Sequence, residues 1–242
     1  MRACPALPRH LHRRTFTGVF WLHSFLALGF SLIALSVVVP RLITRDRASN
    51  ALTIYLSRPL TSFDYLLGKL GIILGILVLM WTGPLLLGWL LSMAFAPDSD
   101  FFVYSFLPLS RALLFNLIAL VTLAAVAMGV SALGKTARAV VPIWMAAWIV
   151  AGMIASLPTT PDVVRAASFS RNLEEVRQDI FRVDEILIKA GETLPLVDRG
   201  LTKNMLSLGQ RESKRSATGA YIGLAAIVVV SSFVFSRKLR PE

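Results

Sequence analysis

One short stretch of the chain carries a residue pattern that can bind nucleotide phosphates. Gly129, Gly134, Lys135 and Thr136 match the pattern G-x-x-x-x-G-K-[ST]. That chemistry needs a strand, a loop of free N–H groups and a helix start, because the N–H groups and the lysine cradle the phosphates. Here Gly129 ends a long apolar run that predicts a helix, and the N–H groups are expected to form hydrogen bonds within that helix. We therefore interpret Lys135 and Arg138 as a basic turn at a membrane face.

Other residues that could do chemistry are sparse. The single cysteine, Cys4, excludes an internal disulfide and a cysteine-based metal site. His10 and His12 lie in a basic arm and are predicted to be solvated, whereas His23 lies in an apolar run and is predicted to serve packing or a headgroup contact. No paired carboxylates, Ser/His/Asp set or metal-ligand cluster stands out. We therefore expect no enzymatic site, cofactor or metal in this chain.

The composition predicts a membrane protein. Hydrophobic residues make up 55% of the chain, charged residues 16%, and the mean hydropathy is +0.67. A soluble domain carries about a quarter charged residues. The net charge of +11 points to anionic lipid headgroups as partners. Nucleic acid is a poor alternative, because the basic residues are scattered at the edges of the apolar runs.

Five apolar runs are each long enough to cross a bilayer, which takes about 20 residues. They are Thr17–Pro40, Leu70–Phe95, Ala112–Leu133, Ala139–Leu157 and Gly219–Ser236. Residues 101–108 are rich in aromatics and are predicted to lie at the membrane interface. Gly71 and Gly75 form a weak G-x-x-x-G pattern, and Pro84 predicts a kink. The chain is thus predicted to be an all-α, polytopic helix bundle forming a single transmembrane domain over residues 1–242.

Residues 158–218 form the only sizeable segment predicted to lie outside the membrane. A helix is predicted from Asn172 to Gly191. Its apolar residues follow a 3-4-3-4 spacing, which is typical of a seam for another helix; they are Leu173, Val176, Ile180, Val183 and Leu187. Packing onto the same subunit or onto the membrane is the favoured interpretation over a separate binding domain.

The stretch 41–69 is the one long polar interruption between the first two runs. Leu52, Tyr55 and Leu56 fall on one stripe of a short helix that Pro59 ends. Thr61 or Ser62 can cap the next helix, which enters the membrane. The pattern indicates a short amphipathic helix on the membrane surface, and an ordinary basic loop is the alternative.

This stretch resembles the coupling-helix region of the permease subunits of the second, exporter-like class of ABC transporters. The family has an acidic and a basic residue, Gly-Thr-Leu, then Leu-Leu-Ser-x-Pro and Gly-Lys at the mouth of the next span. The matching residues here are Asp46-Arg47, Leu52, Leu56-Ser57-Arg58-Pro59 and Gly68-Lys69. The chain departs from the family at Asp46, which is usually Glu, and at Asn50-Ala51, which are usually Gly-Thr.

The resemblance implies a permease domain with a cytoplasmic coupling helix, two separate ATPase subunits and a second permease copy or paralogue, in a bacterial inner membrane. It implies export of an unidentified substrate, with ATP hydrolysed in the partner chains. The residues that it assigns to contact with the ATPase are Asp46, Arg47, Leu52, Tyr55, Leu56, Arg58 and Pro59. The alternative function is a structural membrane-anchor subunit of a multiprotein complex without transport activity.

The charges of the short loops predict the orientation of the spans. Ten Lys or Arg residues lie in the segments predicted to be cytoplasmic, which are 41–69, 134–138 and 237–242. On the other side, the short loop 96–111 carries only Arg111, and the long segment 158–218 is predicted to be an external helical loop. The basic N-terminal arm disagrees, because five spans place it outside. Since the family usually has six spans, we expect the first to be missing, through a wrongly placed start or a genuine truncation.

Overall fold

A computed structural model of the chain describes residues 9–42, 44, 62–96, 100–134, 136–157, 159–182 and 217–238. The regular elements among them are helices: α1 (Arg9–Leu42), α2 (Ser62–Ala94), α3 (Phe101–Leu133), α4 (Ala137–Met145), a π-helical turn (Ala146–Val150), α5 (Ala151–Ser156), α6 (Asp162–Ala166), α7 (Phe169–Phe181) and α8 (Ala217–Lys238). Five helical spans are long and apolar enough to cross a membrane: Phe16–Leu42, Leu67–Ala94, Phe101–Leu133, Ala137–Ser156 and Ala217–Arg237. The predicted all-helical, five-span fold is confirmed for the described residues.

Helix α3 is the centre of the bundle. In its most apolar window 67% of the residues are buried inside the protein, against 17% to 39% in the other four spans. Helices α1 and α8 pack along it, and α2 and α7 also contact it. Small buried residues such as Ala119, Ala127 and Gly129 let the neighbouring backbones come close, which is how helices associate where no water drives them together.

The start of α3 differs from the prediction. Residues 101–108 are the first turns of α3, so the third span begins before the predicted Ala112 and continues through Pro108. Phe101 packs against Phe16 at the start of α1, with 5.2 Å between the ring centroids. The indole N–H of Trp89 donates to the hydroxyl of Ser105 at 3.0 Å. A 33-residue helix is about 50 Å long and exceeds a hydrocarbon core of about 30 Å, so α3 is long enough to reach into a membrane interface, and the interfacial position of these aromatics stays a prediction.

The opposite end of the bundle carries basic residues. Leu70, Met128 and Ser236 line one groove, so the start of α2 and the last turns of α3 and α8 lie together. Lys69 precedes the first of these residues, and Arg237 follows the last. We call this the basic end of the bundle.

Helix α7 is shorter than predicted and lies inside the bundle. It begins at Phe169, where the Ser168 hydroxyl accepts the N–H of Arg171 at 3.4 Å. It ends at Phe181, because Arg182 adopts a left-handed conformation with φ of 50°, so the prediction of one helix to Gly191 is wrong. Leu173, Val176 and Ile180 of the predicted seam are buried, and they pack on the same chain. Val183 and Leu187 lie outside the described residues.

Candidate functional site

The residues predicted to contact an ATPase lie outside the described residues; they are Asp46, Arg47, Leu52, Tyr55, Leu56, Arg58 and Pro59. The structure describes the two helices that this stretch joins. Helix α1 ends at Leu42, and the hydroxyl of the buried Thr44 still donates to the carbonyl of Pro40. Helix α2 begins at Ser62, where a cap was predicted. The stretch therefore connects two helices of the bundle.

The match to a phosphate-binding loop has a different local structure. Residues 129–133 are the last turn of α3, so their N–H groups bond within a helix. Gly134 ends that helix in an extended conformation, and a Cβ there would lie 2.3 Å from Cγ2 of Val140. Thr136 caps α4, since its hydroxyl accepts the N–H of Ala139 at 3.4 Å. These groups form a tight turn between two helices, as predicted, and Lys135 itself is outside the described residues.

Buried polar contacts tie α1 to its neighbours. The indole N–H of Trp81 in α2 donates to the hydroxyl of Ser31 in α1. The indole N–H of Trp144 in α4 donates to Ser36 at 2.9 Å. His23 donates from Nε2 to the carbonyl of Trp81 at 3.1 Å, three residues before Pro84, so it joins α1 to α2. Each bond satisfies a polar group that would be costly to leave alone in an apolar interior.

Arg177 is a buried cation that holds α7 against α1. Its residue is only 1% exposed. Its guanidinium carbon lies 4.8 Å from the ring centroid of Phe25 and 5.2 Å from that of Trp21. One terminal nitrogen donates to both carboxylate oxygens of Glu174, one turn earlier in α7. The ring faces and the carboxylate together stabilise the charge, because aromatic faces attract cations and the attraction is stronger away from water.

The donors around Arg177 are not all used within the described residues. Its Nε and second terminal nitrogen have no hydrogen-bond partner there, and neither has the indole nitrogen of Trp21. The same holds for both amide atoms of Asn116, which is buried in the middle of α3. Buried polar groups without partners are few in folded proteins and cost stability, so these positions mark the polar part of the bundle interior.

Two glycines make room for α7. A Cβ on Gly152 would lie 2.9 Å from the hydroxyl oxygen of Ser170, and a Cβ on Gly223 would lie 2.6 Å from Nδ2 of Asn172. That nitrogen donates to the carbonyl of Ala166 at 2.7 Å. Helix α7 therefore fits between α5 and α8 only because both present glycine at the contact. Helix α7, in the described part of the segment after the fourth span, is therefore built into the bundle.

The comparisons with known proteins do not assign the chain to a family. No protein-family model, curated protein or solved structure matches it. Within the described part of the chain, no group of three or more His, Cys, Asp and Glu lies close enough together to hold a metal ion. The described residues establish a multi-pass helical membrane protein with a buried, partly paired arginine where α7 packs on α1.

The sequence did not predict the burial of Arg177, and it placed Asn116 in the third span without assigning it a role. Arg177 lies next to Val176 of the predicted seam, where a charged residue is normally exposed. The aromatic pair that covers it, Trp21 and Phe25, is 150 or more residues away in sequence. A signal was present, because an i,i+4 pair of aromatics in the first span offers two ring faces on one side of the helix.

Proposed function

We propose that the chain is the transmembrane subunit of an ATP-binding-cassette exporter in a bacterial inner membrane, driven by two separate ATPase subunits and paired with a second permease chain. The observation that carries the proposal is the Asp46–Lys69 motif in the connection between α1 and α2. It resembles a coupling helix, and it starts and ends at helices that are fixed in the bundle.

The contacts of α1 support a mechanical role for this connection. Ser31 and Ser36 of α1 accept hydrogen bonds from Trp81 of α2 and Trp144 of α4. Further along α1, Trp21 and Phe25 cover Arg177 of α7. If an ATPase pulled residues 46–58, α1 would carry the displacement to α2, α4 and α7 without needing a flexible joint. In this proposal residues 46–58 receive the force from the ATPase, and α1 transmits it as a rigid helix.

Replacing Leu56 by Asp tests the proposal. Leu56 shares an apolar stripe with Leu52, so a carboxylate there is either buried unpaired, at a cost of a few kcal/mol, or it expels the helix from its seat. The matched control is Ser57→Asp, which adds the same charge one residue later, off that stripe. A second control is Leu87→Ala, since Leu87 is 62% exposed on α2 and its loss should cost less than about 1 kcal/mol.

The readouts are two measurements on tagged protein purified from native membranes. The first is co-purification of a chain that azido-ATP labels, and the second is ATP hydrolysis by the assembly. We expect the Leu56 variant to reach the membrane but to lose the labelled partner or the hydrolysis, and both controls to retain them. A Leu56 variant that binds and hydrolyses like the parent would show that residues 46–58 are an ordinary loop. Co-purification of a parent assembly without any ATP-labelled chain would favour the anchor function.

A further inference from the structure

The contact between Arg177 and Glu174 uses only part of the arginine. One terminal nitrogen of Arg177 donates to both carboxylate oxygens of Glu174, which lies three residues earlier on α7. The other terminal nitrogen and Nε have no hydrogen-bond partner within the described residues. A carboxylate that faces an arginine squarely receives parallel hydrogen bonds from two nitrogens. The pair is therefore not the best arrangement that a guanidinium and a carboxylate can form.

The buried groups left without partners at this place are all donors. They are Nε and one terminal nitrogen of Arg177 and the indole nitrogen of Trp21, whose ring centroid lies 5.2 Å from the guanidinium carbon. A guanidinium and an indole N–H donate hydrogen bonds and accept none. A water molecule would bring two further donors into these aromatic surroundings. A group that offers acceptors alone, such as a carboxylate, sulfonate or phosphate, matches this set of donors better.

Arg177 lies one side chain below the surface of the bundle. The arginine itself is 1% exposed, but the side chain of Glu174 is 26% exposed and Phe25 is 51% exposed. The ring centroid of Phe25 lies 4.8 Å from the guanidinium carbon, so this ring is part of the cover. Partly exposed side chains change rotamer within nanoseconds. A rotation of Glu174 or Phe25 is therefore enough to give a ligand access to the arginine.

The arginine lies beside the first membrane span, near one end of it. Trp21 and Phe25 follow Phe16, the first residue of that span, by five and nine residues. These separations correspond to about 8 Å and 14 Å along a helix axis, against a hydrocarbon core of about 30 Å. Ionisable residues at such a depth are costly, and they commonly mark ligand sites and ion pathways in membrane proteins.

We propose that Arg177 and Trp21 bind an oxyanion, which is a carboxylate, sulfonate or phosphate group, and that the carboxylate of Glu174 competes with it for the arginine. Glu174 keeps the buried charge paired, and it has to turn away before a ligand can receive parallel hydrogen bonds from two nitrogens of the guanidinium. The half-exposed ring of Phe25 would lie against any hydrocarbon tail that the ligand carries. The proposal does not depend on transport activity.

The experiment measures binding to the full-length protein in phosphatidylcholine nanodiscs, with empty nanodiscs as the blank. The radiolabelled probes are methanesulfonate and decanesulfonate, which carry the same oxyanion without and with a long hydrocarbon tail, and decanol, which has the tail but no charge. We expect one saturable site for a sulfonate and none for decanol. Tighter binding of decanesulfonate would identify the ligand as a membrane amphiphile, and equal affinities would identify it as a small soluble anion. Both outcomes support an oxyanion site.

Variants of the two charged residues should change the sulfonate affinity in opposite directions. Glu174→Gln removes the competing charge and should tighten binding about fivefold or more, because the arginine is then available in a larger fraction of the molecules. Arg177→Met should weaken binding about tenfold or more, since it removes hydrogen bonds to a charged group. Arg171→Met is the matched control, because Arg171 pairs with Glu175 six residues away from Arg177, and it should change the affinity less than about twofold.

A milder variant keeps the test independent of folding. Trp21→Phe retains an aromatic ring beside Arg177 but removes the indole N–H, so sulfonate binding should weaken about threefold while thermal unfolding stays close to that of the parent. A purely structural pair predicts that Glu174→Gln is less stable and binds sulfonate no better. A parent protein without saturable sulfonate binding, decanol that binds as tightly as decanesulfonate, or a Glu174→Gln variant that binds no more tightly than the parent would each overturn the proposal.

Discussion

Gly129 of α3 and Ser231 of α8 meet almost backbone to backbone. A Cβ on Gly129 would lie 3.0 Å from Cβ and 3.1 Å from Cα of Ser231. Gly129 is also the first residue of the match to a nucleotide-binding loop. The close contact with Ser231 explains the glycine without a nucleotide, because a side chain here would overlap α8. The glycine allows the central helix and the last span to cross closely.

The first prediction concerns this crossing. Gly129→Leu should destabilise the bundle by about 1–3 kcal/mol, because the added carbons overlap the backbone of α8 and force the helices apart. Gly75→Leu is the matched control, since a Cβ at Gly75 meets nothing within 4 Å. Thermal unfolding in detergent, followed by tryptophan fluorescence, compares the two. Equal melting temperatures would mean that α3 and α8 do not cross here.

The second prediction is that Lys135→Ala leaves nucleotide binding and hydrolysis by the assembled complex largely intact. The residues before Lys135 form a helix, and Thr136 caps the next one, so the loop does not offer a row of free N–H groups to a phosphate. Photolabelling with azido-ATP measures binding directly. Labelling of this chain that disappears in the variant would contradict the helical description of the turn.

The third prediction compares the fully buried Arg177 with the partly buried Arg171 on α7. Arg177→Met keeps most of the stem packing but removes the charge from between Trp21 and Phe25, so we expect a loss of up to about 2 kcal/mol. Arg171→Met is the control on the same helix, because Arg171 pairs with Glu175 at 3.2 Å nearer the surface and such i,i+4 pairs contribute about 0.3–0.5 kcal/mol.

The readout for α7 is thermal unfolding together with the emission maximum of the tryptophans. Arg177→Lys should fall between the parent and Arg177→Met, since an ammonium lacks the flat face that lies against a ring. A melting temperature for Arg177→Met no lower than that of Arg171→Met would show that the burial of Arg177 contributes nothing.

The fourth prediction concerns topology. In a Cys4→Ser background, a cysteine at position 207 should react with an impermeant maleimide added outside, and a cysteine at position 62 should react only after the membrane is opened. The reason is the ten-to-one excess of basic residues in the short segments on one side. The reverse labelling pattern would show that the bundle has the opposite orientation and that the 41–69 connection lies outside.

The sequence predicted the spans well because a bilayer requires long apolar helices whatever their partners are. The predictions were wrong where contacts with other helices of the bundle determine the structure. Residues 101–108 are rich in aromatics and contain Pro108, which favours a break. However, Phe101 contacts Phe16 and Ser105 contacts Trp89 on other helices, and the helix continues. Packing against distant elements outweighs the local preference of a proline near a helix start.

The end of α7 had no signal in the sequence, and the signal for the burial of Arg177, the aromatic pair in the first span, lies more than 150 residues away from it. The seam spacing continues beyond Phe181, yet Arg182 turns into the left-handed region, where arginine is uncommon. Periodicity reports which face of a helix is apolar, but it does not report that an arginine on that helix meets two aromatic rings from the first span. The predicted contact residues at 46–59 stay predictions.

The π turn between α4 and α5 absorbs one residue of the fourth span. The N–H of Ala151 bonds to the carbonyl of Ala146, five residues earlier, so this turn holds one residue more than an α turn. Because the extra residue is taken up within a single turn, removing one residue from 146–150 would restore a regular α turn and leave Gly152 nearly in phase with Ser170. Removing one residue from the regular turns of α4 would instead rotate Gly152 by about 100° around the axis. The fourth span can therefore lose a residue at its π turn without moving the seat of α7.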